Sequence, residues 1–347
     1  MPFSQAKPKS TTMRPDQPPI IATDEPTPSN RMPVVLQLGV LALILAGLFG
    51  AFLFGDTAVT EPVTNADTRV AQHDRPASSA GVPQPITAPV ALTAEAAYVW
   101  DVRGQRALYE KNADAALPLA SITKLMTALL AYELVATDTT VSVPLSAIRQ
   151  AGNSGLVAGE TLTAHALSEL ALIASSNDAA HSLAASVGSL LGDRDPTAQF
   201  VAGMNLRAEE LGLPSLAFKN TTGLDLSPTE PGAVGSARDV SFLLEHLINN
   251  YPELVAPTRE ESALIYNTAG AYHEAANTNA LVAEIPNLLA SKTGYTDLAG
   301  GNLTIAFAAG LDRPIIITVL GSTRSDRFTD VATLIDAVQQ TVTASAE

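Results

Sequence analysis

The chain has 347 residues, 46% of them hydrophobic, and no cysteine. This allows a domain with a full core and excludes global disorder, a disulfide framework and thiolate metal sites. Its formal net charge is −15, and from residue 91 onward 14 Lys plus Arg face 28 Asp plus Glu. That balance argues against nucleic acid as a partner and demands local cations wherever an anion is to bind.

Residues 1–33 are rich in Pro, Ser and Thr without hydrophobic periodicity, which predicts a disordered tail, placed on the cytoplasmic side. The composition then changes abruptly. Val34 to Gly55, VVLQLGVLALILAGLFGAFLFG, carries no charge and at helical rise is long enough to cross a hydrocarbon core of ~30 Å. The run exceeds the ~7–15 apolar residues of a cleavable signal, and Asp56-Thr57-Ala58 lacks the A-x-A pattern, so it reads as an uncleaved transmembrane signal anchor. Arg14 and Arg31 before it are matched by Arg69 and Arg75 after it, which leaves little orientation bias. Residues 56–90, ending in PASSAGVPQPITAP, have linker composition.

From residue 91 to 347 the pattern is globular. AAYVWDV and RALYEKN flank Arg103-Gly104-Gln105 and predict a hairpin. A helix is expected from about Ser121, then others through TAHALSELALIA, through HSLAASVGSLL with Gly192 as a stop, and through TAQFVAGMNLRAEEL before Gly212. Ser236 and Asp239 have capping-box spacing ahead of SFLLEHLI. LLASKTGY, NLTIAFAAG and PIIITVLG are strand-like, and FTDVATLIDAVQQTV is a closing helix. Strands at both ends with helices between and after predict an α/β (α+β) domain: one antiparallel sheet flanked by helices, with a mostly helical insert.

Within LASITKLMTALL, Lys124 sits one helical turn after Ser121 among residues of core type. A serine at a helix N-terminus lies where free backbone N–H groups favour developing negative charge, and burial would lower the lysine toward a usable base. Alone, the pair reads equally well as an N-cap with a snorkelling lysine, and Ser4 and Lys7 in the tail repeat its spacing. Ser175-Ser176-Asn177 is the sole S-x-N of the chain and interrupts an apolar helical region. Its plain reading is a polar helix cap using Asn177 or Asp178. Lys292-Thr293-Gly294 ends a predicted strand in a chain with only six lysines. It offers a cation and a hydroxyl to a carboxylate, with a glycine where something must approach closely.

Together, S-x-x-K, S-x-N and K-T-G in this order resemble the serine D-Ala-D-Ala carboxypeptidases, the low-molecular-mass penicillin-binding proteins with the β-lactamase/transpeptidase-like fold. The resemblance runs over roughly residues 92–340 and includes SSNDAAHSLA, FKNTTGLD, SARDV, NTNALV and SKTGYTDLAGGN. Ser176 and Ser291 stand where glycine is frequent in the family, and neither replaces a catalytic group. The resemblance implies Ser121 as nucleophile, Lys124 as its base, Ser175 as proton relay and Asn177 as substrate-amide and lysine holder. It places the second oxyanion donor at Tyr295 and the substrate's terminal carboxylate on Lys292, Thr293 and Arg327, with Gly294 counted among the substrate-binding residues for the close approach it allows.

No cofactor or metal is implied, since the five histidines lack ligand spacing and there is no G-x-S-x-G or phosphate loop. The implied partners are peptidoglycan stem peptides ending in D-Ala-D-Ala, β-lactams as acylating inhibitors, and the lipid bilayer through the N-terminal span, with the catalytic domain on the extracytoplasmic side. DD-endopeptidase activity is the alternative. A β-lactamase would need a glutamate for its deacylating water, and the one approximate match, Glu245 in EHLIN, falls inside a predicted amphipathic helix. An inactive wall-binding scaffold is disfavoured by the intact trio.

Overall fold

Strands from the two ends of the domain meet in one sheet. The computed structural model describes residues 84–152, 154–192 and 194–344. The expectations for the tail, for Val34–Gly55 and for the linker up to residue 83 lie outside the described residues. Among the described residues no helix is long and apolar enough to cross a membrane.

The chain enters through β1 (Ala96–Asp101) and β2 (Arg106–Lys111), the expected hairpin. β3 (Leu117–Pro118) leads into a 3-10 turn (Ala120–Thr123) and α1 (Lys124–Leu134). β4 (Thr140–Ser142) pairs with β5 (Thr161–Thr163), and α2 (Ala164–Leu172), α3 (Asn177–Val187) and α4 (Pro196–Glu210) complete the helical half. β6 (Ala217–Phe218) and β7 (Ala233–Gly235) join β3 in a small sheet, and α5 (Ala237–Asn250) and the single turn α6 (Pro252–Val255) follow. After the hairpin of β8 (Ser262–Tyr266) and β9 (Tyr272–Ala276) come β10 (Leu288–Thr296), β11 (Gly300–Ala308), β12 (Pro314–Ser322) and the closing helix α7 (Asp326–Ala344).

The main sheet is antiparallel, in the order β10-β11-β12-β1-β2. Its central strands are buried along nearly their whole length, because helices cover both faces. The two-residue period divides their side chains between two cores. Tyr98, Trp100, Ile316 and Leu320 join the core shared with α5 and the helical half, whereas Val99, Ile315, Ile317 and Val319 pack with Val331, Leu334 and Val338 of α7. β10 is left as an edge strand facing the helical half, and that edge forms one wall of the cleft.

Three local expectations are corrected. Ser121 lies in the 3-10 turn, and the α-helix proper starts at Lys124. The helix expected to stop at Gly192 ends at Val187 and passes into a 3-10 turn, Gly188–Leu190. The glycine that matters is Gly188, where a Cβ would stand 1.9 Å from the Pro196 carbonyl oxygen. Residues 84–90, read as linker, already belong to the domain: the Ile86 N–H donates to the Leu108 carbonyl at 2.8 Å, and Ile86 and Val90 pack on the α7-side core. The Ser236 cap is found, its Oγ accepting from the Asp239 N–H at 3.1 Å, but the Asp239 carboxylate turns outward to the Ser215 N–H and hydroxyl, so the box is half closed.

Candidate active site

The site begins with backbone strain. Ala120 has φ +48° and Ser175 φ +57°, left-handed values that cost about 1–3 kcal/mol each for a non-glycine residue. The surroundings hold them there. The Leu119 N–H donates to the Ala233 carbonyl at 3.0 Å, and the Thr123 hydroxyl donates to the Ala120 carbonyl at 2.7 Å. Gly223, itself at φ +79°, lets its backbone lie against Ala120, where a Cβ would come within 1.8 Å of the carbonyl oxygen. On the other side, Gly294 has Leu119 O, Ala120 Cβ and Ser121 N within 2.7–3.2 Å of where its Cβ would be. Only glycine allows the edge strand to come this close to the Ser121 turn.

Lys124 is fully buried, and its Nζ meets three oxygens: Ser121 Oγ at 2.7 Å, Asn177 Oδ1 at 2.7 Å and the Thr222 carbonyl at 2.9 Å. Among the described residues no carboxylate pairs with it. Burial first, and the positive charge of Lys292 second, hold its pKa well below the ordinary lysine range. The neutral amine fits these partners one for one. The Asn177 and Thr222 oxygens can only accept, so they take its two N–H donors, and the lone pair is left for the Ser121 hydroxyl proton. Asn177 is oriented by its own Nδ2, which donates to the Ala151 carbonyl at 2.6 Å.

Ser175, Ser176 and Asn177 form the entry to α3 and divide their work. Ser176 is the cap, its Oγ accepting from the Ala179 N–H at 3.0 Å, which corrects the plain reading of Asn177 or Asp178 as caps. Ser175 and Asn177 are thereby free to face the cleft. Lys292, 1% exposed, donates to Ser175 Oγ at 3.0 Å and to the Thr293 carbonyl at 3.1 Å. Burial and then the Arg327 charge lower it to about 7. The Thr293 hydroxyl pairs with Thr278 Oγ1 at 2.6 Å, and Arg327, buried at the start of α7, donates from Nη1 to the Gly294 carbonyl at 2.7 Å. Tyr295 follows at the end of the strand with its side chain 42% exposed.

All nine residues singled out from the sequence thus converge on one cleft between the helical half and β10. Sequence reading assigned no role to Thr222, Thr278 or Ala151, although FKNTTGLD and NTNALV contain the first two. Their contribution is a backbone carbonyl or a hydroxyl at a chain crossing, which no residue pattern announces. Glu245 is not in the cleft: it lies in α5 and accepts from Trp100 Nε1 at 2.9 Å and Gln105 Nε2 at 2.8 Å, at the β1–β2 end of the sheet opposite β10.

A profile of the D-alanyl-D-alanine carboxypeptidase family, peptidase S11, matches residues 83–324. The chain belongs to this family. The D-alanyl-D-alanine carboxypeptidase DacF of Bacillus subtilis is 31% identical over 256 residues, covering 72% of this chain and 63% of that protein. A D-alanyl-D-alanine endopeptidase of Pseudomonas aeruginosa is also 31% identical, over 214 residues, covering 60% of this chain and 65% of that protein. The chain therefore spans under two thirds of the length of these two relatives. Penicillin-binding protein D2 of Listeria monocytogenes, solved in its ampicillin-bound form, matches with a TM-score of 0.59 at 31% identity over 72% of this chain and 99% of that one. The fold is the penicillin-binding, transpeptidase-like α+β fold that the S11 peptidases share.

Proposed function

We propose that this S11 family member is a serine D-alanyl-D-alanine carboxypeptidase that removes the terminal D-Ala of peptidoglycan stem pentapeptides. The observation that carries the reading is the fully buried Lys124 amine, 2.7 Å from Ser121 Oγ, with no carboxylate partner and a depressed pKa. Neutral Lys124 takes the Ser121 proton as the hydroxyl oxygen attacks the carbonyl between the two D-alanines. The oxyanion forms between the Ser121 and Tyr295 N–H groups, the first on the 3-10 turn and the second on the edge strand. Ser175, held by Lys292, passes its proton to the departing amine and regains one from protonated Lys124, which returns Lys124 to its neutral form. The C–N bond breaks, D-Ala leaves, and an ester remains on Ser121. Water, deprotonated by Lys124, then hydrolyses the ester.

The substrate's carboxylate is received by Lys292, the Thr293 hydroxyl and Arg327. Lys292 and Arg327 supply the local positive charge that an anion needs on a domain of net negative charge. A β-lactam enters the same acylation, as the ampicillin-bound Listeria relative suggests. The Pseudomonas relative is a D-alanyl-D-alanine endopeptidase, which keeps cleavage of cross-links as the second reading. Val34–Gly55 would anchor the protein in the membrane with the catalytic domain outside, where its substrate is.

The deciding experiment incubates the purified protein with a stem pentapeptide and a cross-linked muropeptide dimer and identifies products by mass. Release of D-Ala from the pentapeptide and labelling by fluorescent penicillin, both absent in Ser121→Ala, are expected. Monomer formation from the dimer without D-Ala release would establish the endopeptidase instead, and equal labelling of wild type and Ser121→Ala would overturn both.

A further inference from the structure

Along β10 the side chains alternate. Lys292 and Gly294 face Ser175 and the Ser121 turn, the Thr293 hydroxyl pairs with Thr278, and the Tyr295 ring at the strand's end lies toward the start of α7. There the Arg324 guanidinium lies over the Tyr295 ring, 5.2 Å from its centroid. The backbone of Arg324 runs beside Gly301, the cross-strand partner of Tyr295, so the arginine is fixed to the strand from below as well.

Arg324 is exposed, and among the described residues no carboxylate lies within ion-pair distance of it. Elsewhere on the surface Arg207, Lys219, Arg238 and Arg259 each have an acidic partner, whereas Arg103, Arg149 and Arg194 form no ion pair among the described residues; Arg324 differs from these three in being seated on an aromatic ring. An unpaired arginine parked on an aromatic face keeps its fork of donors available and its position defined. It is also electrically continuous with the pocket: Arg324 depresses Arg327, and Arg327 depresses Lys292. Three cations this close favour an anion beside each of them.

We propose that Arg324, held on Tyr295, is a specificity-determining residue on the leaving-group side of the cleft, where it receives a second carboxylate carried by the departing residue. The inference rests on the proposed DD-peptidase reading, in which Thr293 and Arg327 hold the first carboxylate. The leaving residue then lies among Thr293, Tyr295, Arg327 and Arg324. A departing D-Ala uses only the inner cations, whereas a departing residue with a further acidic group also engages the outer one. A cross-linked acceptor stem, which continues to another carboxylate, is such a leaving group.

The test measures kcat/KM for two acetylated L-Lys-D-Ala-D-Xaa tripeptides, with D-Ala or D-Glu as the departing residue, in wild type, Arg324→Gln and Arg324→Lys. The D-Glu to D-Ala ratio is expected to fall about tenfold in Arg324→Gln, the size of one charge-assisted contact. Arg324→Lys, a point charge without the stacking plane, should lie between. In wild type the ratio should shrink as salt is added. An Arg324→Gln enzyme with the wild-type ratio overturns the inference. If wild type releases neither residue and penicillin labelling does not depend on Ser121, the underlying reading has failed, and this inference falls with it by a separate readout.

Discussion

Two buried charge sites lie on opposite faces of the same sheet, and they are built in opposite ways. On the α7 face, Asp330 is 3% exposed and fully occupied: its carboxylate accepts from the Thr93 N–H at 2.8 Å, the Ala94 N–H at 2.9 Å and the Ser322 hydroxyl at 2.6 Å. On the cleft face, Lys124 and Lys292 are as deeply buried but face each other and Arg327, with hydroxyls and carbonyls as partners and no counter-ion. A buried carboxylate whose oxygens are taken up by three donors from the chain is a staple. A buried amine whose surroundings favour the neutral form is a base in waiting. Burial alone distinguishes nothing; the sign and character of the neighbours do.

The sharpest way to break the comparison is to remove each charge. Lys124→Met should lower acylation by penicillin at least ~10³-fold, because the base is gone. Its thermal midpoint should stay level or rise, since an uncompensated buried amine is replaced by an apolar chain of similar length. A large loss of stability would mean that Lys124 is a structural residue after all. Gly294→Ala should come next, with about a 10²-fold fall in kcat/KM. The added methyl meets the Leu119 carbonyl oxygen at 2.7 Å and pushes the edge strand from the Ser121 turn. Fluorescent-penicillin labelling rates would show it.

Asp330→Ala should do the reverse of Lys124→Met. Three donors are left without an acceptor, which should cost about 3 kcal/mol in urea denaturation, while the folded fraction keeps its acylation rate. Loss of rate in step with a mild loss of stability would erase the contrast between the two faces.

The gentlest probe is pH. Lys292 is lowered to about 7 from an ordinary value of 10.5. Between those two values the unfolded chain binds a proton there that the folded chain does not, so stability should rise with pH across that window. Below about 7 the folded state holds the charged amine and bears its desolvation. Activity should move the other way, falling above about pH 7 as Lys292 loses the charge that receives the substrate carboxylate. Lys292→Met should flatten its share of the stability slope, and an unchanged slope would remove Lys292 from the account.

Much of this was legible in the sequence. The β1–β2 hairpin, the helices between, the three C-terminal strands and the last helix all follow from hydrophobic period, and the sheet built from distant segments follows from their order. The three motifs named Ser121, Lys124, Ser175, Asn177, Lys292, Thr293 and Gly294, the family resemblance added Tyr295 and Arg327, and the Thr278 hydroxyl was singled out by neither. What was not legible is of two kinds. Local boundaries depend on contacts made from elsewhere: α3 ends where Gly188 meets Pro196, and α1 begins with a 3-10 turn because Gly223 and Gly294 press on it from both sides. The third partner of Lys124 is a main-chain carbonyl, which every residue type carries alike.

Which polar groups would be available to one cleft could be read from the sequence alone, because S-x-x-K, S-x-N and K-T-G hold their residue types at short spacings that local geometry preserves. Tertiary structure alone decided what state those groups are in. Lys124 and Lys292 lie 168 positions apart, and each becomes a depressed amine only when the fold removes its water and brings another cation near, Lys292 beside Lys124 and Arg327 beside Lys292. Desolvation and charge coupling are properties of a three-dimensional environment, and they make the same lysine inert at one address and a base at another.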